Sequence, residues 1–207
     1  AASLDVPIFY YRQHGGSLSR DFDRLLEARS RIFERISNKL HGDYKPTCVA
    51  VIPVRESYPG FEGVPYRNFE GHSLLERAIC SAANSEKVTH VIVSSQSQAV
   101  LKFSEQLEEQ AQVPAHTRMF RDVDLEQPNV VPIREIMLQA GKRYAEQYGT
   151  PPDITMFLSI HAVNRRSEHV DKAVNVLRIT ESDSVVSVEE EREPLFAHGN
   201  KGLRLLN

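Results

Sequence analysis

Residues 49–79 read VAVIPVRESYPGFEGVPYRNFEGHSLLERAI. An apolar run ends at Arg55, a loop holding three glycines and two prolines follows, and helical spacing resumes at Ser73. An uncharged run of this kind suits a strand buried on both faces, as in a parallel sheet. Ser73 and Glu76 have the Ser-x-x-Glu spacing of a capping box, and Leu74, Leu75, Ala78, Ile79 and Ala82 form one apolar stripe behind it. A strand, a glycine-bearing loop and a capped helix are the opening unit of an α/β fold.

The alternation continues. VTHVIVSS (88–95), ITMFLSI (154–160) and DSVVSVE (183–189) read as strands; AVLKFSEQLEEQ (99–110), PIREIMLQAGKRYAEQ (132–147) and SEHVDKAVNVLRI (167–179) read as helices. Near-continuous apolar strands separated by helices predict a doubly wound, mainly parallel α/β sheet covered on both faces. Ahead of it, VPIFYY (6–11) is strand-like and HGGS is a turn. From 21 to 40 the residues Leu25, Ala28, Ile32, Phe33, Ile36 and Leu40 recur at helical spacing. Residues 42–47, with Gly and Pro and no periodicity, read as a linker between a front segment, 1–41, and an α/β domain, 48–207.

A formal net charge of −3 and a pI near 6.3 argue against a general nucleic-acid binder. No apolar run approaches the ~20 residues that span a bilayer, and no secretory leader pattern opens the chain. A cytoplasmic location is expected. Cys48 and Cys80 fall on apolar faces, where cysteine acts as a small hydrophobe rather than a disulfide or metal ligand. The first residue is not Met and GLRLLN stops within an apolar pattern, so a piece of a longer protein is expected, incomplete at the C-terminus.

Ligands of such sheets bind beyond the carboxyl ends of the strands, where residues 55–71 fall. Gly60, Gly63 and Gly71 let backbone approach a ligand, and Arg55 and Arg67 carry forked donors suited to phosphate oxygens. A nucleoside triphosphate fits this chemistry. By spacing alone the segment is equally a surface loop with two solvated arginines, since neither a Walker A pattern nor GxGxxG is present.

The series of motifs resembles the acylneuraminate cytidylyltransferase family, whose members make CMP-sialic acid and CMP-Kdo. Ile52, Pro53, Arg55 and Gly63, then Pro65, Arg67 and Asn68, match the family's first strand, Ile-Pro-Ala-Arg-Gly-Gly-Ser-Lys-Gly, and its Pro-x-Lys-Asn. VTHVIVSS is similar to the second strand, FRDVDLE to the Arg-Pro-Ala-Glu-Leu segment through Arg121, and MFLSIHAVNRRSEHVDKAV to a later strand and helix through Arg165 and Asp171. The resemblance runs from Thr47 to Asn207. It departs at Glu62, which stands in place of a phosphate-contacting lysine, at Ser95-Gln96 in place of Thr-Asp, and at Ser159, His161 and Ala162.

The resemblance implies a nucleotide-diphospho-sugar transferase, Rossmann-like fold and a CTP-dependent nucleotidyl transfer onto a sugar acid, with pyrophosphate leaving. It assigns Arg55 and Arg67 to the triphosphate as catalytic groups. It places Glu62, Gly63, Asn68, Ser94, Ser95 and Arg121 around the nucleotide, and His161 and Arg165 on the sugar-acid side. Mg2+ is the implied cofactor, with its carboxylate ligands beyond Asn207, so the stretch alone is expected to be inactive. A homodimer through a later segment is the implied assembly.

The front segment resembles the C-terminal end of a GT-A family 2 glycosyltransferase domain, through Tyr11, Arg12, His14, Ser17 and Ser19. It implies a fusion of a sugar-transferring and a sugar-activating domain for surface polysaccharide synthesis. Two alternatives stay open. One is a catalytically impaired nucleotide- or sugar-binding domain, suggested by Glu62. The other is a glycosyltransferase with a regulatory back half.

Overall fold

The computed structural model describes residues 22–42, 44–58, 60–121, 132–188, 195–199 and 202–206. The motif at Tyr11–Ser19, the strand expected at 6–11 and the acidic run at 189–193 lie outside them. Helix α1 covers Phe22–His41. Four strands then form a parallel sheet: β1 (Cys48–Val54), β6 (His90–Ser95), β7 (Thr117–Phe120) and β8 (Ile154–Phe157), in the order β7-β6-β1-β8. Between β1 and β6 come two short hairpins, β2 (Ser57–Tyr58) with β3 (Phe61–Glu62) and β4 (Asn68–Phe69) with β5 (His72–Ser73). The remaining helices are α2 (Leu74–Ala83), α3 (Gln98–Glu109), α4 (Ile133–Tyr148) and α5 (Ser167–Thr180). A separate hairpin pairs β9 (Leu195–Gly199) with β10 (Gly202–Leu206).

The two faces of the sheet follow from the period-2 alternation of the strands. Ala50, Ile52, Val54, Val91 and Val93 pack with Leu75, Ile79, Val100 and Val170 of α2, α3 and α5. Val49, Val51, Ile92 and Met119 pack with Ile136, Ala140 and Tyr144 of α4. Both faces are thus covered, and β1 is buried along its length because it is central. This is the doubly wound α/β class that the strand and helix spacing predicts.

The chain steps outward from β1 to β6 and β7, then returns to β8 on the other flank of β1. Strand order therefore reverses between β1 and β8, and the carboxyl end of that junction is where such sheets bind ligands. Pro53 helps to open it. Val51 O accepts from Leu158 N at 2.9 Å, the final turn of chain that β8 offers β1. Pro53, two residues on, shares that side, so its missing N–H falls where β8 has already turned away.

Two expectations are corrected. Residues 183–188 do not pair as a strand: they run irregularly, with Val186 76% and Val188 88% exposed. A strand pattern marks what would suit a sheet, and no described strand lies alongside to complete it. Helix α1 is present, yet it buries only part of its sequence-marked apolar face: Leu25 and Phe33 are half-buried. Ile32, Ile36 and Leu40 are exposed, while Ser37 is buried. It lies against α5, held by Lys87 Nζ to Glu34 Oε1 at 2.9 Å and a 2.7 Å hydrogen bond between His41 Nε2 and Arg178 O.

Candidate functional site

The segment after β1 is shaped rather than loose. Gly60, Gly63 and Gly71 all have positive φ, and Gly63, at φ 62°, starts a short 3-10 turn over Val64–Tyr66. Left-handed backbone of this kind is where a residue with a Cβ is strained. Val64 and Pro65 are buried in the main core, and Tyr66 meets Phe103 of α3 edge-on with ring centroids 4.9 Å apart. The second hairpin closes through Leu74 N donating to Arg67 O at 3.0 Å and feeds into α2, whose capping box joins Ser73 and Glu76 in both directions at 3.1 Å.

Three elements converge at the carboxyl end of the sheet. From β7, the backbone N of Arg121 donates to Ser95 O at 2.9 Å, and its side chain crosses the end of β6 so that Nη2 donates to Val54 O at 3.2 Å. From β1, Arg55 follows directly, its backbone N bonded to the Tyr58 hydroxyl at 3.4 Å. From β8, His161 meets the Tyr58 ring edge-on at 4.7 Å. Arg55, Arg121, Tyr58 and His161 thus sit at the strand-order reversal.

The electrostatics of this group are unusual. Arg121 is only 4% exposed, and among the described residues its Nε has no hydrogen-bond partner. Burial, and then the like charge of Arg55, pull its pKa from 12.5 to about 10, opposed in part by Tyr58. A buried guanidinium beside another cation is costly unless an anion completes the set. Forked N–H donors aimed at a strand end are suited to phosphate or carboxylate oxygens.

The other expected residues lie elsewhere. Arg67 reaches Glu62 O at 3.4 Å and stands 5.9 Å from the Phe61 ring centroid, so the cation sharing the field of Arg121 is Arg55, and Arg67 belongs to the hairpins. Glu62 is exposed and paired with Ser57 across β2–β3; Asn68 accepts from Gly71 N at 2.9 Å and closes its own turn. Ser94 and Ser95 are both fully buried, with Ser95 Oγ receiving Ser97 N at 3.1 Å, so they shape the end of β6 from inside. Ser97 in turn donates to Glu56 Oε2 at 2.7 Å, tying α3 to the loop after β1.

Arg165 is turned inward. Its Nε donates to Ser81 Oγ at 3.1 Å and its Nη1 to Ser159 O at 2.9 Å, and burial lowers its pKa to about 10. Arg77 does the same from α2, donating twice to Val163 O at 3.2 and 3.0 Å. These two arginines clamp the loop after β8 to α2 and so position His161. Asp171 is likewise internal, accepting from Ser85 Oγ and Lys87 N.

Sequence reasoning overlooked Tyr58, an aromatic ring among small and charged loop residues, which is the only indication of it in the sequence. Among the described residues no group of three or more His, Cys, Asp or Glu side chains could hold a metal ion. A cavity of about 260 Å³ near Lys45, Lys87 and Arg178 lies at the opposite, amino end of the sheet.

No protein-family model and no curated protein matches the sequence. Among solved structures, a 4-diphosphocytidyl-2C-methyl-D-erythritol synthase from Anaerococcus prevotii DSM 20548 is similar over 78% of this chain and 62% of its own, at 11% identity and a TM-score of 0.52. A CMP:2-keto-3-deoxy-manno-octonic acid synthetase complexed with CTP is similar over 64% of this chain and 47% of its own, at 19% identity and a TM-score of 0.44. The chain therefore covers less than two thirds of the length of either structure. At 11% identity the likeness to the Anaerococcus protein is one of fold.

Proposed function

We propose that this chain is the nucleotide-binding part of a CTP-dependent nucleotidyltransferase, activating a sugar acid of the nonulosonate or Kdo type to its CMP derivative for surface polysaccharide synthesis. The carrying observation is the Arg121–Arg55 pair at the strand-order reversal: a buried guanidinium with an unpartnered Nε beside a second cation. The fold shared with a protein named for a diphosphocytidyl product supports the nucleotide class, and the motif series from Ile52 to Asp171 supports the sugar-acid class.

In this reading Arg121 and Arg55 bind triphosphate oxygens and offset the charge that builds as the sugar hydroxyl attacks the α-phosphorus and pyrophosphate departs. Little covalent work falls to the protein, and fixed donors supply the effect through positioning. Tyr58 orients Arg55 through its backbone and holds His161 at the sugar-acid side. Arg67, with Gly63 and Asn68, lies one hairpin further out as a second contact to the nucleotide. Arg165 acts as a positioning residue, through the loop that carries His161.

Mg2+, when bound, would supply Lewis-acid stabilisation of the phosphate charge that builds during transfer. The described residues do not fit a site for it, and its ligands are proposed to lie in other parts of the protein, which leaves this stretch inactive alone. Association into a homodimer through such a part, and a cytoplasmic location, belong to the same proposal. A second reading, a binding domain without catalysis, is favoured by one observation: exposed Glu62 stands on the loop where a cation would serve a polyphosphate.

The test is full-length protein with CTP, Mg2+ and a panel of sugar acids, read by pyrophosphate release alongside calorimetric CTP binding. Release with a sugar acid supports the first reading. Binding without release on any acid supports the second, and no CTP binding at all defeats both.

A further inference from the structure

We propose that the outward face of α1 docks on an anionic phospholipid surface. The helix is fixed in an orientation its own pattern does not favour. Ile32, Ile36 and Leu40, spaced four residues apart, are 56%, 41% and 58% exposed. Ser37 is fully buried, and among the described residues its hydroxyl is unpartnered. Adjacent helical residues are about 100° apart, so Ser37 and Ile36 mark two different faces, and the apolar one looks away from the domain. The inner face is anchored by the Glu34–Lys87 ion pair, by Lys172 standing 5.7 Å from the Phe33 ring centroid, and by His41. Turning the helix to bury its isoleucines would break all three.

Charge decides the occupant. Helix α1 carries Arg24, Arg29, Arg31, Arg35 and Lys39 against Asp23, Glu27 and Glu34, with Glu34 turned inward to Lys87, in a chain whose formal net charge is −3. Glu27 is itself 3.5 Å from Arg31. A second copy of α1 would bring like charges together. Residues 1–21 balance Asp5 and Asp21 with Arg12 and Arg20, and so offer no complementary charge. A helix with an apolar stripe bordered by Arg and Lys suits the headgroup region of an anionic leaflet, where the aliphatic residues enter the acyl boundary and the cations meet phosphate. The stripe from Ile32 to Leu40 runs about 12 Å along the axis, so the helix lies in the plane of the surface and does not cross it.

The experiment is co-sedimentation of the full chain with vesicles of phosphatidylcholine alone and with vesicles in which about a third of that lipid is phosphatidylglycerol. Binding is expected to the second kind only, and to fall as salt is raised, because exposed charges are screened within about a Debye length. Ile32→Ser with Ile36→Ser, and separately Arg29→Glu with Arg35→Glu, should each lower partitioning at least about tenfold without changing the melting temperature or CTP binding. Equal binding to both vesicle types, binding to neither, or partitioning unchanged in both variants overturns the proposal. So does a concentration-dependent dimer in light scattering that the isoleucine substitutions abolish, which assigns the face to a second copy. An Ile36→Cys thiol that a maleimide cannot reach in free protein also overturns it, because the chain then covers the face itself.

Discussion

Arg121 and Arg165 show how little residue type says about role. Burial brings both to a pKa of about 10. Arg165 has donors engaged on Ser81 and Ser159, whereas Arg121 keeps Nε unpartnered beside Arg55. The expected outcome is a separation of effects. Arg121→Ala should weaken CTP binding about tenfold or more, the scale of one charge-assisted hydrogen bond. Arg165→Ala should act mainly by lowering the melting temperature, and exposed Arg143→Ala should do neither. Titration calorimetry and thermal melts on the three variants check this; equal losses of affinity would contradict the site. Arg55 was legible in the sequence as the first charge after a buried strand. Arg121 was legible only through a motif likeness, because crossing β6 to reach Val54 is a property of strand order, which local sequence does not carry.

At the scale of elements, α5 begins with a histidine in a backbone role. Arg166 N donates to His169 Nδ1 at 3.0 Å, a bond that a protonated nitrogen cannot accept. Burial, and then Arg166, lower the pKa of His169 below 6.5, and a helix N-terminus is a poor place for added positive charge. The unfolded chain therefore takes up this proton at higher pH than the native one. Stability from this cap is intact above pH 6.5 and is lost as pH falls from there toward the lowered native value. Melts at about pH 7.5 and about pH 5.5 should show a smaller acid-side loss in His169→Ala than in wild type. Helices α2 to α5 were readable from periodicity because each buries a stripe against the sheet. Residues 183–188 and the orientation of α1 were not, since a β pattern needs a neighbour to pair with and an amphipathic pattern does not say which surface it will meet.

For the molecule as a whole, the order β7-β6-β1-β8 places β1 at the centre of both cores, so its side chains carry the most packing. Ile52→Ala should cost about 2–5 kcal/mol by urea denaturation, the range for a large side chain removed from a core with no room to collapse. A much smaller loss would mean that the α2 side of the sheet is loosely filled. The sequence made the parallel class clear through its uncharged strands, but the reversal between β1 and β8 is a long-range property that no local pattern carries. That reversal has α4 alone, among the described residues, guarding the rear of the sheet over Val49, Val51, Ile92 and Met119. One shutter on one side makes for lopsided armour: if α4 lifts on warming, a bare β-rich wall meets water, and irreversible clumping of the heated protein would start from that posture.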